Sequence, residues 1–121
     1  KSKKALNGAK ILILGAAYKK DIDDMRESPS LKLIEIYREK GAIVEYHDPL
    51  VTILPKTRRY KYDMKSVKLT KGNLNNYDLV VLSTDHSIFN YKFIVTNAKL
   101  IIDTRNAFEA RGIKSKKVFK A

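Results

Sequence analysis

Four consecutive apolar residues, Ile11 to Leu14, closed by Gly15, constrain this chain more than any other stretch. No polar position interrupts them, so the run reads as a strand buried on both faces, the pattern of a parallel sheet. Beyond Gly15 the chain turns polar, carrying Lys19, Lys20, Asp21, Asp23, Asp24 and Arg26. Ser28 and Pro29 then supply a helix N-cap and a first helical position. A strand that feeds a charged loop and then a helix N-terminus is where open α/β sheets place anionic ligands.

The following residues extend that unit. Leu31, Leu33, Ile34, Ile36 and Tyr37 give an apolar face at helical spacing over about 29–40, and Gly41 marks the stop. Ala42 to Tyr46 reads as a second strand, ended by His47-Asp48-Pro49. Strand, helix, strand in some forty residues is a βαβ unit, so these two strands should be parallel with a right-handed crossover. Residues 50–71 are less regular, with short extended pieces around Tyr60–Tyr62 and Val67–Leu69 competing with an open loop. Asn73 to Tyr77 suggests a helical turn, Asp78 to Ser83 a third strand, and about Phe89 to Thr96 a helix. Leu100 to Ile102 gives a fourth strand and Val118-Phe119 a short last one. The fold class expected is α/β, three layers with a mainly parallel sheet between helices.

The loop after the first strand departs from the dinucleotide fingerprint. G-x-G-x-x-G needs its second glycine for close backbone approach to a pyrophosphate and its third for helix–strand packing. Counted from Gly15, those positions hold Ala17 and Lys20. Lys19, Lys20 and Arg26 instead offer charged side chains, either to a phosphate or to Asp21, Asp23 and Asp24 on a solvated loop.

Three polar clusters follow strands directly: Tyr18 to Arg26, Thr84 to His86, and Asp103 to Asn106. A parallel sheet gathers such ends along one edge, which makes a shared site geometrically natural. His86 beside Asp85 suggests acid–base work, and His47 beside Asp48 a metal site. Sequence neighbours do not establish either, and a hydrogen-bonded structural histidine is the preferred reading. Asp48 stands where dinucleotide folds place a ribose-binding acid, but Asp-Pro has turn chemistry of its own, which is preferred.

Charge invites another function. Lys and Arg number 25 against 13 Asp and Glu, a net +12 in 121 residues. The excess is spread over Lys1, Lys3, Lys4 and Lys10, over Lys56 to Lys71, and over Arg111 to Lys120. Tyr60 and Tyr62 interleave with the middle group as base-stacking residues would. No nucleic-acid-binding motif accompanies them, so a lysine-rich soluble surface without a nucleic-acid partner is preferred. No apolar run approaches the roughly 18 residues of a membrane span, and no leader pattern opens the chain. The expectation is a cytoplasmic protein without a membrane partner. There is no cysteine, which excludes a thiol nucleophile or thiolate metal site from these residues.

The stretch from Gly15 to Pro29, with Gly41-Ala42, Tyr46-His47-Asp48-Pro49, Ser83-Thr84-Asp85-His86-Ser87 and Ile102-Asp103-Thr104-Arg105-Asn106-Ala107, resembles the C-terminal, UDP-binding domain of the UDP-glucose/GDP-mannose dehydrogenase family. The combination looks most like the branch that oxidises UDP-N-acetylglucosamine, or a related N-acetylhexosamine, at carbon six. The resemblance implies a Rossmann-like domain at 10–121, preceded at 1–9 by a linker or the end of a helix. It also implies N-terminal NAD-binding and central dimerisation domains elsewhere, a homodimer or higher assembly, and a role in making surface-polysaccharide precursors. Family members use a cysteine that this chain lacks, so the chain alone is expected to be inactive. Carried over residue by residue, Tyr18, Lys19 and Arg105 contact the UDP-sugar, and Arg26 reaches NAD held mainly by the absent domain. Lys20, Asp24, Asp85 and His86 belong to the pattern without an assigned role. A freestanding nucleotide-binding or regulatory module is the alternative.

Overall fold

A computed structural model of the chain describes residues 7–17, 29–54 and 63–120. Five strands form one sheet: β1 (Lys10–Leu14), β2 (Ile43–His47), β3 (Leu79–Leu82), β4 (Ile101–Asp103) and β5 (Val118–Lys120). Their order is β2-β1-β3-β4-β5 and every pairing is parallel. Among the described residues four helices connect them: α1 (Pro29–Glu39), α2 (Lys71–Asn76), α3 (Tyr91–Asn97) and α4 (Ala107–Ala110). The expected α/β architecture is therefore the observed one.

The layers follow from side-chain alternation along β1. Ile11 and Ile13 pack in one apolar cluster with Leu31 and Ile34 of α1 and with Val44 and Tyr46 of β2. Leu12 and Leu14 pack in another, with Leu74 of α2, Tyr91 and Ile94 of α3, and Phe108 of α4. One helix thus covers one face and three short helices cover the other. β1 lies between two neighbours and beneath both layers, and Ile11 to Leu14 are all fully buried. That is why its sequence is continuously apolar, whereas β2 alternates between exposed Ile43 and buried Val44.

Local chemistry sets the boundaries. α1 stops where Gly41 adopts φ 86°. The N–H of Gly41 donates to Arg38 O at 2.9 Å and that of Ala42 to Tyr37 O at 3.0 Å, the paired bonds of a Schellman cap. Gly8 N–H donates to Gly41 O and Ile43 N–H to Ala9 O, both at 2.8 Å, so the chain is tied to this corner before β1 begins. Thr70 caps α2 by accepting the Asn73 N–H, which starts that helix two residues before the expected turn. Asn90 caps α3 by accepting the Phe93 N–H at 3.1 Å. Asn90→Ala is expected to lower stability by about 1 kcal/mol, read as a lower denaturant midpoint.

One element escaped the sequence reading. Helix α4 is one turn whose start is held by Asp103, with its Oδ2 accepting the Phe108 N–H at 3.0 Å. Four residues carry too little periodicity to be read as a helix. The extended piece expected around Val67–Leu69 begins at the sheet edge, where Val67 N–H donates to Tyr46 O at 2.8 Å. Isolated bridges pair Tyr46 with Ser66 and Ile53 with Lys65, so part of the irregular stretch covers the edge of β2. Tyr60 to Tyr62 lie outside the described residues.

Candidate functional site

The strand order defines where a site belongs. From β1 the chain moves to β2 on one side, and from β3 it proceeds to β4 and β5 on the other. The direction reverses between β1 and β3, and open parallel sheets bind ligands outside the carboxyl ends of the strands at such a reversal. Gly15 to Ala17 leave β1 at this point, Ser83 to His86 leave β3, Asp48 follows β2 and Arg105 follows β4.

Hydrogen bonds to neighbouring strand ends hold the turn after β1. The Gly15 N–H donates to His47 O at 2.8 Å. Gly15 O accepts the Ser30 hydroxyl at 2.6 Å, and Ser30 Oγ lies 2.7 Å from Ser83 Oγ. The Ala16 and Ala17 N–H groups both donate to Asp48 Oδ2, at 2.7 and 3.2 Å. Thr84 Oγ1 donates to Ala17 O at 2.7 Å. Ser30, Asp48 and Thr84 are each 0% exposed. Gly15 has φ 90°, and its α-carbon packs directly on Thr84. The first turn of α1 and the ends of β2 and β3 therefore set the path of the chain from Gly15 to Ala17.

Asp48 is the hub of this edge. Its Oδ1 accepts the Leu50 N–H at 2.8 Å, the turn chemistry expected of Asp-Pro. Its Oδ2 also meets His86 Nε2 at 2.8 Å, with both side chains fully buried. Burial pushes the Asp48 carboxyl up, but the His86 hydrogen bond and the N–H groups of Ala16 and Leu50 outweigh it and hold it below the usual carboxylate range. A carboxylate only accepts, so His86 Nε2 carries the proton. Tyr46 braces the same turn, its hydroxyl donating to Val51 O at 2.8 Å. Burial, reinforced by the Asp48 charge, pushes that phenol up to about 12, so it stays a donor.

The sequence-level pairings of histidine and aspartate are thus replaced by one across the chain. His86 meets Asp48, 38 positions away, while His47 Nδ1 lies 2.6 Å from Val67 O. The preferred structural reading of His86 agrees with its buried, bonded state. Among the described residues no group of three or more His, Asp or Glu could hold a metal ion. The Asp48–His86 pair escaped sequence reasoning because its partners flank β1 only in this strand order. The available signal was that both residues stand just past the ends of strands.

Arg105 lies at the same edge. Its backbone N–H donates to Asp103 Oδ1 at 2.9 Å, which fixes the turn after β4. Its Nε donates to Ser83 O at 2.9 Å, so the side chain reaches from β4 to the end of β3. Thr104 binds the same strand end through Oγ1, which donates to Leu82 O at 2.6 Å. The Asp103 to Asn106 cluster therefore meets the end of β3 at Leu82 and Ser83, the residues that lead into Thr84 to His86. The third cluster, Tyr18 to Arg26, with the site candidates Tyr18, Lys19 and Arg26, lies outside the described residues. Its point of departure, Ala17, is bonded to Thr84, beside the carbonyl that Arg105 grips.

Comparison with known proteins places this geometry in context. A model of the UDP-glucose/GDP-mannose dehydrogenase family, UDP binding domain, matches residues 12–110. A UDP-N-acetyl-D-mannosamine dehydrogenase of Methanococcus vannielii is 33% identical over 105 residues, covering 80% of this chain and 22% of its own length. A UDP-glucose 6-dehydrogenase of Rickettsia prowazekii is 33% identical over 113 residues, with 86% of this chain and 25% of its own covered. The solved structure of a UDP-D-ManNAc dehydrogenase from Pyrococcus horikoshii superposes with a TM-score of 0.68 at 29% identity, over 96% of this chain and 26% of that one. The chain thus spans about a quarter of the length of the proteins it resembles.

Proposed function

The chain belongs to the UDP-glucose/GDP-mannose dehydrogenase family as its UDP-binding domain, and on that premise we propose that it grips the uridine diphosphate half of a UDP-N-acetylhexosamine. The parent protein would be an NAD-dependent 6-dehydrogenase of cytoplasmic location, assembled as a homodimer or larger, that makes precursors of surface polysaccharides. The observation that carries this reading is Arg105, anchored through Nε on Ser83 O beside the turn that leads to Tyr18 and Lys19. With Nε committed, the terminal guanidinium nitrogens are the donors suited to a diphosphate oxygen. Lys19 supplies the second positive charge, and the Tyr18 ring and backbone help fix the nucleotide. Arg26 reaches toward the NAD of an adjoining domain or subunit.

The division of labour follows from what these residues lack. With no cysteine there is no thiol to carry the sugar carbon through oxidation. Nor do the residues fit a dinucleotide cradle. The fingerprint glycines are replaced, and the turn's Ala16 and Ala17 N–H groups are already bonded to Asp48. On this reading NAD and the nucleophile come from outside these 121 residues, and the chain alone binds without oxidising. Nucleotide binding energy gathered here orients the sugar carbon for chemistry performed by the other parts.

The substrate class draws support from the N-acetylmannosamine relatives. Thr84 and His86 are buried among protein partners, which makes them part of the scaffold and not readers of the sugar. Calorimetry with UDP, UDP-N-acetylglucosamine, UDP-N-acetylmannosamine and UDP-glucose tests the proposal. Lys19→Ala and Arg105→Ala should each weaken UDP binding by about 10- to 100-fold, the loss of a charge-assisted contact. Unchanged affinity in both folded variants would remove the site assignment.

A further inference from the structure

The turn after β1 is the place where sheets of this strand order present backbone N–H groups to a phosphate. Here two such groups, of Ala16 and Ala17, converge on a single point, and that point is Asp48 Oδ2. Converging backbone N–H groups form a concavity that favours an anion. The chain supplies its own: a carboxylate with no exposed surface, further held by His86 Nε2 at 2.8 Å and by the Leu50 N–H at 2.8 Å.

We propose that the Asp48 carboxylate is a built-in anion occupying the backbone N–H seat at the β1–β3 reversal, so that a bound diphosphate is engaged by side chains farther out along this edge. An incoming phosphate that displaced Asp48 would break the carboxylate's bonds to His86 Nε2 and to the Leu50 N–H in a dry interior. The second half of the proposal rests on the UDP-binding reading above; the first half does not. Asp48 and His86 then act as positioning residues, fixing the turn from Gly15 to Ala17 as the chain leaves β1. The seat explains why the turn can carry Ala17 where a pyrophosphate cradle needs glycine.

Two measurements on the full chain test this. In the wild type, amide proton–nitrogen spectra are recorded during titration with inorganic pyrophosphate and then with UDP. The Ala16 and Ala17 resonances should hold their positions while the Arg105 Nε resonance moves with UDP. In Asp48→Ala the seat is vacated, and formate serves as the probe. At 100 mM formate against chloride of equal ionic strength, the variant should gain about 4 °C in Tm, with no gain in the wild type. Its UDP affinity should recover in the same buffer, which a merely structural defect would not show. Ala16 and Ala17 moving first with pyrophosphate in the wild type, or a folded Asp48→Ala indifferent to formate, overturns the seat. Should that variant be unfolded in both salts, the wild-type titration decides. An Arg105 resonance unmoved by UDP while formate still restores Asp48→Ala overturns the UDP reading and leaves the seat standing.

Discussion

Gly15→Ala is expected to remove about 4 kcal/mol of folding stability, read as a large drop in denaturant midpoint. Two effects add. The backbone at Gly15 has φ 90°, a left-handed conformation that costs an L-residue roughly 1–2 kcal/mol. A β-carbon there would also stand 2.5 Å from Thr84 Cβ and 2.8 Å from both Thr84 N and Thr84 O. Thr84 cannot easily yield. Its N–H donates to Leu14 O at 3.2 Å and its hydroxyl to Ala17 O at 2.7 Å, so relief requires pushing β3 away from β1. Forcing a methyl group into so tight a contact costs a further 1–3 kcal/mol or so. Against a typical domain stability of about 5–15 kcal/mol, the sum is a large fraction.

Other glycines calibrate that result. Gly112 also has a positive φ, of 74°, but open space around its missing β-carbon, so Gly112→Ala should cost only the backbone strain, about 1 kcal/mol. At Gly41 the nearest atom is Asn7 Oδ1, a side-chain end that can rotate aside, and the loss should fall between the two. Equal losses for Gly15→Ala and Gly112→Ala would mean that the approach of β1 to Thr84 is not tight.

His86→Leu is expected to destabilise the chain by about 3 kcal/mol at pH 7, the scale of removing one partner from a buried pair. The variant deletes the proton donor and leaves the Asp48 carboxylate with its backbone donors alone. The pH dependence identifies the cause. In the wild type, Asp48 is held below its ordinary value of about 3.9. A depressed folded-state pKa contributes stability that is present above that ordinary value and lost as the pH falls through the folded-state value. Without His86, burial is opposed by fewer hydrogen bonds and the carboxyl rises. The gap between wild type and variant should therefore be widest near neutrality and narrow as the pH falls below about 4 toward the depressed folded-state value, past which a protonated Asp48 no longer needs the imidazole. His86→Gln, which keeps an N–H donor, should recover part of the loss. A gap that stays constant from pH 7 to pH 3 would show that only packing against Phe89, whose ring centre lies 5.4 Å from that of His86, had been disturbed.

Much of the architecture could be read without coordinates because burial leaves a local mark. β1 is apolar throughout since both its faces are covered, and Pro29 and Gly41 bound α1 through conformational preferences that belong to single residues. Polar residues after strands announced one shared polar edge because parallel strands end together. Tyr18, Lys19 and Arg105 were singled out by likeness to a family. The structure adds for Arg105 a bond to the end of β3.

What the chain's order of residues determined by itself was the class of fold, the polar clusters that follow its strands, and the absence of a thiol for oxidation. Tertiary structure alone decided which groups meet there. Asp48 and His86 are 38 positions apart, and each has a more obvious neighbour in sequence. They touch because β2 and β3 pack on either side of β1, a consequence of the sheet's order that no local pattern encodes. The same order aims the Ala16 and Ala17 N–H groups at a carboxylate just past the end of β2, so the protein's own charge fills the turn.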